Sequence, residues 1–138
     1  MGGAPVDLLL DTHIWIWSLF QPGRLSREVT AALVDEDNQL WLSPISILEF
    51  LLLAERGRVH VQRGMAPAEW VNAALSTAPL RDAPLNREVA IRSRTVQLDH
   101  EDPADRLLAT TAAVYDLTLV TGDERLLGGK GFATLANR

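Results

Sequence analysis

Apolar positions along the chain fall into two kinds of run. Short apolar segments close on a polar or turn residue, as in Val6-Asp7-Leu8-Leu9-Leu10-Asp11 and Leu117-Thr118-Leu119-Val120-Thr121, the latter followed by Gly122-Asp123. Such brief runs, bounded by a change of pattern, suit strands buried on both faces of a parallel sheet. Gln39 to Ser43 predicts a second strand, Pro79 to Pro84 a short strand or extended link, and Phe132 to Leu135 an edge strand. Longer segments with helical spacing lie between them. A helix is expected from Thr12 through Ile14-Trp15-Ile16-Trp17, apolar on nearly every face. Ser26 predicts the cap of a helix through Val29, Leu33 and Val34 that ends before Asn38. Pro44 reads as a break, after which Ser46 caps a helix over Ile47 to Ala54 that closes at Gly57. Pro67 opens a helix through Trp70, Val71 and Leu75, and Asn86 caps one containing Val89, Ala90 and Ile91. Asp102 caps the next, with Pro103 at its first position and Leu107, Leu108, Ala112 and Tyr115 along it. Strands alternating with helices indicate an α/β fold: a mainly parallel central sheet of about four to five strands flanked by helices.

Composition narrows the class. A chain of 138 residues with 47% hydrophobic and 22% charged residues is long enough for one packed domain, whose core spans about residues 6–135, and disorder is not expected. The absence of cysteine excludes disulfides, thiol nucleophiles and Cys-based zinc sites. No run approaches ~18 apolar residues, and Met1 to Pro5 lacks the charged and apolar regions of a signal peptide. A soluble cytoplasmic protein with no membrane association is the expectation. A net charge of −5 argues against simple electrostatic binding of nucleic acid, although carboxylates that hold metal would offset it. The polar stretch Gly57 to Ala66, with Arg56, Arg58 and Arg63, reads as a solvated loop, with phosphate contact as the alternative.

The acids carry the candidate chemistry. Asp11 and Asp123 each follow an apolar strand, at the sheet edge where ligands gather. Either alone is equally well a cap or a turn residue. Glu49 fits a capping box, Ser46-x-x-Glu49, yet it is the only polar residue between Ile47 and Ala54. An acid in that apolar setting is costly without a partner, and a metal ion would supply one. Asp105 stands in the first turn after Asp102, where the helix dipole already favours an acid. Oxygen ligands in this number suit Mg²⁺ or Mn²⁺ and the logic of metal-dependent phosphodiester cleavage. His13, His60 and His100 show no metal-ligand spacing and are expected at the surface or behind the acids.

Leu9-Leu10-Asp11-Thr12-His13, Ser46-x-x-Glu49, Asp102-Pro103-Ala104-Asp105-Arg106-Leu107-Leu108-Ala109 and Leu119-Val120-Thr121-Gly122-Asp123 together resemble, in order and spacing, the PIN-domain family, and within it the VapC-type toxins of toxin–antitoxin pairs. The resemblance spans Val6 to about Leu135. It implies a single PIN-like nuclease domain over residues 1–138 and a ribonuclease whose Mg²⁺ or Mn²⁺ is held by Asp11, Glu49, Asp105 and Asp123, the catalytic acids. Asp11 and Asp105 would bind directly, Glu49 and Asp123 directly or through water. Thr12, Ser46, Asp102 and Thr121 would orient these acids. Activated water would cleave RNA to leave 3′-hydroxyl and 5′-phosphate ends. The family also implies a homodimer and a small antitoxin lying along apolar helices, for which Trp15 and Trp17 are the candidate surface. Ala104 departs from the branch, which often has an aromatic residue there. A housekeeping or DNA-directed nuclease of this fold, or a catalytically silent binding module, is the alternative, because fold does not settle function. A phosphotransfer domain fits poorly, since its second acid would stand at His13 and its lysine could only be Lys130.

Overall fold

The computed structural model describes residues 4–138. Met1 to Gly3, part of the stretch read above for a leader, lie outside them. Five strands, β1 (Asp7–Leu10), β2 (Gln39–Leu42), β3 (Leu80–Asp82), β4 (Thr118–Thr121) and β5 (Ala133–Ala136), form one sheet in the order β3-β2-β1-β4-β5, every pair parallel. Seven α-helices surround it: α1 (Thr12–Phe20), α2 (Arg27–Val34), α3 (Pro44–Glu55), α4 (Pro67–Thr77), α5 (Arg87–Arg92), α6 (Pro103–Tyr115) and α7 (Glu124–Leu127). No helix among the described residues is long and apolar enough to cross a membrane.

The alternation of β1 explains the layers. Leu8 and Leu10 face one side, where Ile14, Trp15, Val29, Phe50 and Val71 from the first four helices close over them. Leu9 faces the other, packed with Leu108, Ala112, Leu119 and Leu126. A strand buried on both faces needs the uninterrupted apolar run seen in the sequence. The chain winds outward from β1 to β3, then returns to the far side of β1 for β4 and β5. The reversal falls between β1 and β4, and their carboxyl ends flank the crevice that such a switch creates.

The predicted strands all form, with β5 one residue later than the pattern suggested because Phe132 turns into the second core instead of pairing. The start of α3 differs more. Ser43, not Ser46, is the N-cap: its hydroxyl accepts the Ile45 N–H at 3.1 Å, and Pro44 is the first helical residue. Pro44 therefore begins the helix, because its fixed φ and missing N–H cost nothing there. Ser46 lies inside the helix and fully buried, so Glu49 is not the third residue of a capping box. Ser43→Ala is expected to cost about 1 kcal/mol, read as a lower midpoint in urea denaturation with an unchanged slope.

Candidate functional site

Asp11 leaves β1 in an extended conformation and caps α1. Its Oδ1 accepts the Thr12 N–H at 2.7 Å, and its Oδ2 accepts the Thr121 hydroxyl at 2.7 Å. Thr121 Oγ1 also accepts the Asp123 N–H at 3.0 Å, so one hydroxyl joins the ends of β1 and β4. Asp11 is only 8% exposed, and burial is the main reason its carboxyl is pushed above the usual range, against the opposing pull of Thr121.

Glu49 reaches the same place from the second turn of α3. Its Oε1 accepts a hydrogen bond from Thr12 Oγ1, which lies 2.9 Å from Ser46 Oγ. A hydroxyl has one proton to give. Thr12 gives its own to the carboxylate, and Ser46 donates to Thr12. The glutamate is thus held by a buried hydroxyl relay, its proton affinity raised by burial and then by Asp11 and Asp102. Thr12 contacts Glu49 itself, whereas Ser46, inside the helix, touches Thr12 and reaches the acid only through it.

Asp105 enters from the first turn of α6, which Asp102 caps by accepting the Ala104 N–H at 2.9 Å and the Asp105 N–H at 3.3 Å. Burial, then repulsion from Asp102, Asp11 and Asp123, pushes the Asp105 carboxyl up to about 7. Asp123 caps α7 and behaves oppositely. Arg125 donates to both of its oxygens, at 3.3 Å through Nε and 3.0 Å through Nη2, and holds its carboxyl below the usual range. The same guanidinium stands 3.8 Å from Asp105 Oδ2.

These groups line one cleft of about 350 Å³: Asp11, Glu49, Asp102, Asp105 and Asp123, with His13, Trp17, Gly122 and Arg125. Among the described residues no three acids or imidazoles are gathered closely enough to enclose a metal ion. The acids are spread around a shared space. Mg²⁺ and Mn²⁺ take a few carboxylates and keep several waters, so acids spaced this way would hold such an ion only with waters completing its shell. Three of these carboxyls have raised proton affinity and a single nearby guanidinium opposes them, so the cleft is short of positive charge.

Sequence reasoning misplaced or missed several side chains here. Trp15 is only 2% exposed and packs against Phe50 at 5.5 Å between ring centroids, so it cannot be partner surface. Residues two apart point to opposite sides of a helix, and the spacing of Trp15 and Trp17 already implied that only one could face outward. Trp17 is the one that does, lining the cleft. His13 stands at the cleft as well. His100 Nε2 lies 3.4 Å from Asp105 Oδ2, off hydrogen-bond geometry, with neither ring nitrogen otherwise partnered. Arg125 went unremarked, although a basic residue two positions after a capping acid is a legible signal.

The sequence profile of the PIN domain matches residues 8–128. Ribonuclease VapC22 of Mycobacterium tuberculosis (strain ATCC 25618 / H37Rv) is 32% identical over 120 residues, covering 86% of this chain and 88% of that protein. Among solved structures, VapBC2 from Rickettsia felis bound to a DNA fragment from its promoter is similar with a TM-score of 0.71 at 14% identity, over 96% of this chain and all of the other. VapBC-5 from Mycobacterium tuberculosis, a member of the VapBC family of toxin–antitoxin systems, is similar with a TM-score of 0.61 at 15% identity, over 96% and 99% of the two chains. At such identities the structural likeness concerns the fold.

Proposed function

Since the chain belongs to the PIN-domain family, we propose that it is a divalent-metal-dependent endoribonuclease and the toxin of a toxin–antitoxin pair. The observation that supports this most is the convergence of Asp11, Glu49, Asp105 and Asp123 on one cleft at the β1–β4 switch point, with too little positive charge to balance them. Mg²⁺ or Mn²⁺ bound there supplies Lewis acidity toward a water and neutralises charge on a phosphoryl oxygen.

The protein's own groups set the geometry. Asp11 and Asp105 would hold the ion directly, with Glu49 and Asp123 binding directly or through water. Thr121 locks one oxygen of Asp11, and Thr12, backed by Ser46, locks Oε1 of Glu49. Glu49 Oε2 is left to take a proton from the attacking water, a role its raised proton affinity suits. The water oxygen bonds to phosphorus as the P–O3′ bond breaks, and the departing oxygen takes up a proton as the 3′-hydroxyl. The products are a 3′-hydroxyl and a 5′-phosphate. A small antitoxin silences the protein, a reading supported by the similarity to proteins named as toxin–antitoxin systems, and we extend the proposal to a cytoplasmic homodimer.

With Mg²⁺ or Mn²⁺ the protein is expected to cut mixed-sequence single-stranded RNA, to stop on addition of EDTA and to resume with excess Mn²⁺. End-labelled products should carry 5′-phosphates. Cleavage that persists in EDTA, or that proceeds only on DNA, would overturn the proposal.

A further inference from the structure

A second depression, of about 430 Å³, adjoins the acidic cleft and shares His13 and Trp17 with it. It lies between α1, the Pro22–Arg24 turn and the segment after α3, and its lining includes Phe20, Arg24, Arg58 and His60. No acid lines it, in a chain whose net charge is −5. The Arg24 guanidinium carbon lies 4.1 Å from the centroid of the Trp17 ring, a cation–π contact. Among the described residues the arginines paired with acids are Arg92, Arg94, Arg125 and Arg138, and Arg24 and Arg58 are among the eight that have no acidic partner.

Cationic groups beside aromatic faces are what single-stranded nucleic acid requires: phosphates take the charge, and bases stack on rings or on guanidinium planes. An RNA strand whose scissile phosphate sits among the acids must continue past them. From there one exit that offers positive charge shares Trp17 and His13 and carries two arginines, Arg24 and Arg58. We infer that this depression is the subsite for the nucleotide next to the cleaved phosphodiester of single-stranded RNA. The base lies against the Arg24–Trp17 pair, and the flanking phosphate meets Arg58. The inference rests on the nuclease reading above. It also gives the acidic chain a means of holding a polyanion: the repulsive acids are confined to the cut, and the attraction is placed one nucleotide away.

The test uses the full chain and a fluorescein-labelled, mixed-sequence 12-nucleotide single-stranded RNA. Binding is measured by anisotropy in EDTA, and cleavage is measured with Mn²⁺. Arg24→Ala and Arg58→Ala should each raise Kd and KM about tenfold with kcat unchanged, and Arg58→Ala should also reduce the salt dependence of binding by about one phosphate contact. Arg92→Ala, which removes the same charge elsewhere, should change neither constant. The Trp17 indole N–H resonance should shift when the RNA is added. If wild type cuts RNA while both groove variants keep its Kd and KM, the subsite is wrong and the nuclease reading survives. If wild type binds RNA with this arginine dependence but never cuts it, the nuclease reading fails and the subsite's place beside a cleaved bond fails with it, leaving an RNA-binding groove. Unchanged RNA constants with weakened binding of a glutamate-rich 12-residue peptide would assign the groove to a protein segment and overturn the inference.

Discussion

Asp105→Asn is expected to abolish RNA cleavage and also to make the metal-free protein melt several degrees higher at pH 8. The two effects share one cause. Burial and three neighbouring acids push this carboxyl up to about 7, with Arg125 only partly opposing them. An unfolded chain gives up the same proton near pH ~4. Between those values the folded state holds a proton that the unfolded state has lost, so stability falls as pH rises. The favourable contribution is complete below pH ~4 and is gone once pH has passed the folded value. Because the group is partly solvated and near Arg125, the loss is on the order of 1–2 kcal/mol and not the full value of the shift. Asparagine carries no charge and removes this pH dependence. Thermal melts in EDTA at pH 5 and pH 8 should show the gap between variant and wild type widening with pH. Added Mg²⁺ should then raise the wild-type midpoint well above its EDTA value and move the variant little. A variant that melts below wild type at both pH values would show that Asp105 is stabilised, not strained, by its surroundings.

Arg106→Ala is expected to cost about 3–5 kcal/mol, the largest loss of stability from any one polar side chain here. Arg106 is 6% exposed and has no carboxylate partner. Its Nε donates to Ser93 O at 2.9 Å, Nη1 to Leu98 O at 3.0 Å and His100 O at 3.1 Å, and Nη2 to Val96 O at 3.3 Å. One guanidinium therefore fixes the irregular segment between α5 and α6. Truncation leaves the buried Ser93 and Leu98 carbonyls without this donor, while Val96 O keeps the Leu98 N–H. Arg106→Lys is expected to recover only part of the loss, because a single ammonium cannot reproduce the planar fork of donors. The shift in urea midpoint measures both variants. Cleavage should fall as well, because the pinned segment carries His100 to the side of Asp105 and runs into the Asp102 cap.

Arg106 also marks where the sequence becomes hard to read. The strands and most helices were legible because burial imposes a period: two-sided burial gives the run in β1, and caps such as Ser26, Asn86 and Asp102 punctuate the helices. Asp11, Asp105 and Asp123 were legible as strand-end or first-turn residues, whereas Glu49 stands in the second turn of α3. A side chain whose partners are backbone carbonyls leaves no such pattern, since any residue supplies a carbonyl. Pro44 misled for a related reason. Proline both breaks and begins helices, and only the extended geometry of Ser43 decides which. Ser46 and Glu49 were grouped through a capping box that does not form. What joins them is Thr12, thirty-four residues before Ser46, a contact made by the placement of α1 beside α3.

The Thr121 hydroxyl that ties Asp11 to Asp123 crosses the one place where the sheet changes its winding direction. On one side of that seam lie β1, β2 and β3; on the other lie β4 and β5. Sideways, the two groups are held by the pairing of Leu8, Leu9 and Leu10 with Thr118, Leu119 and Val120. The acids at its upper end push against that pairing. A cation seated among them would draw the same ends together. The cutting site would then double as a fastening for the sheet, so that loading the ion and tightening the middle of the fold become a single event.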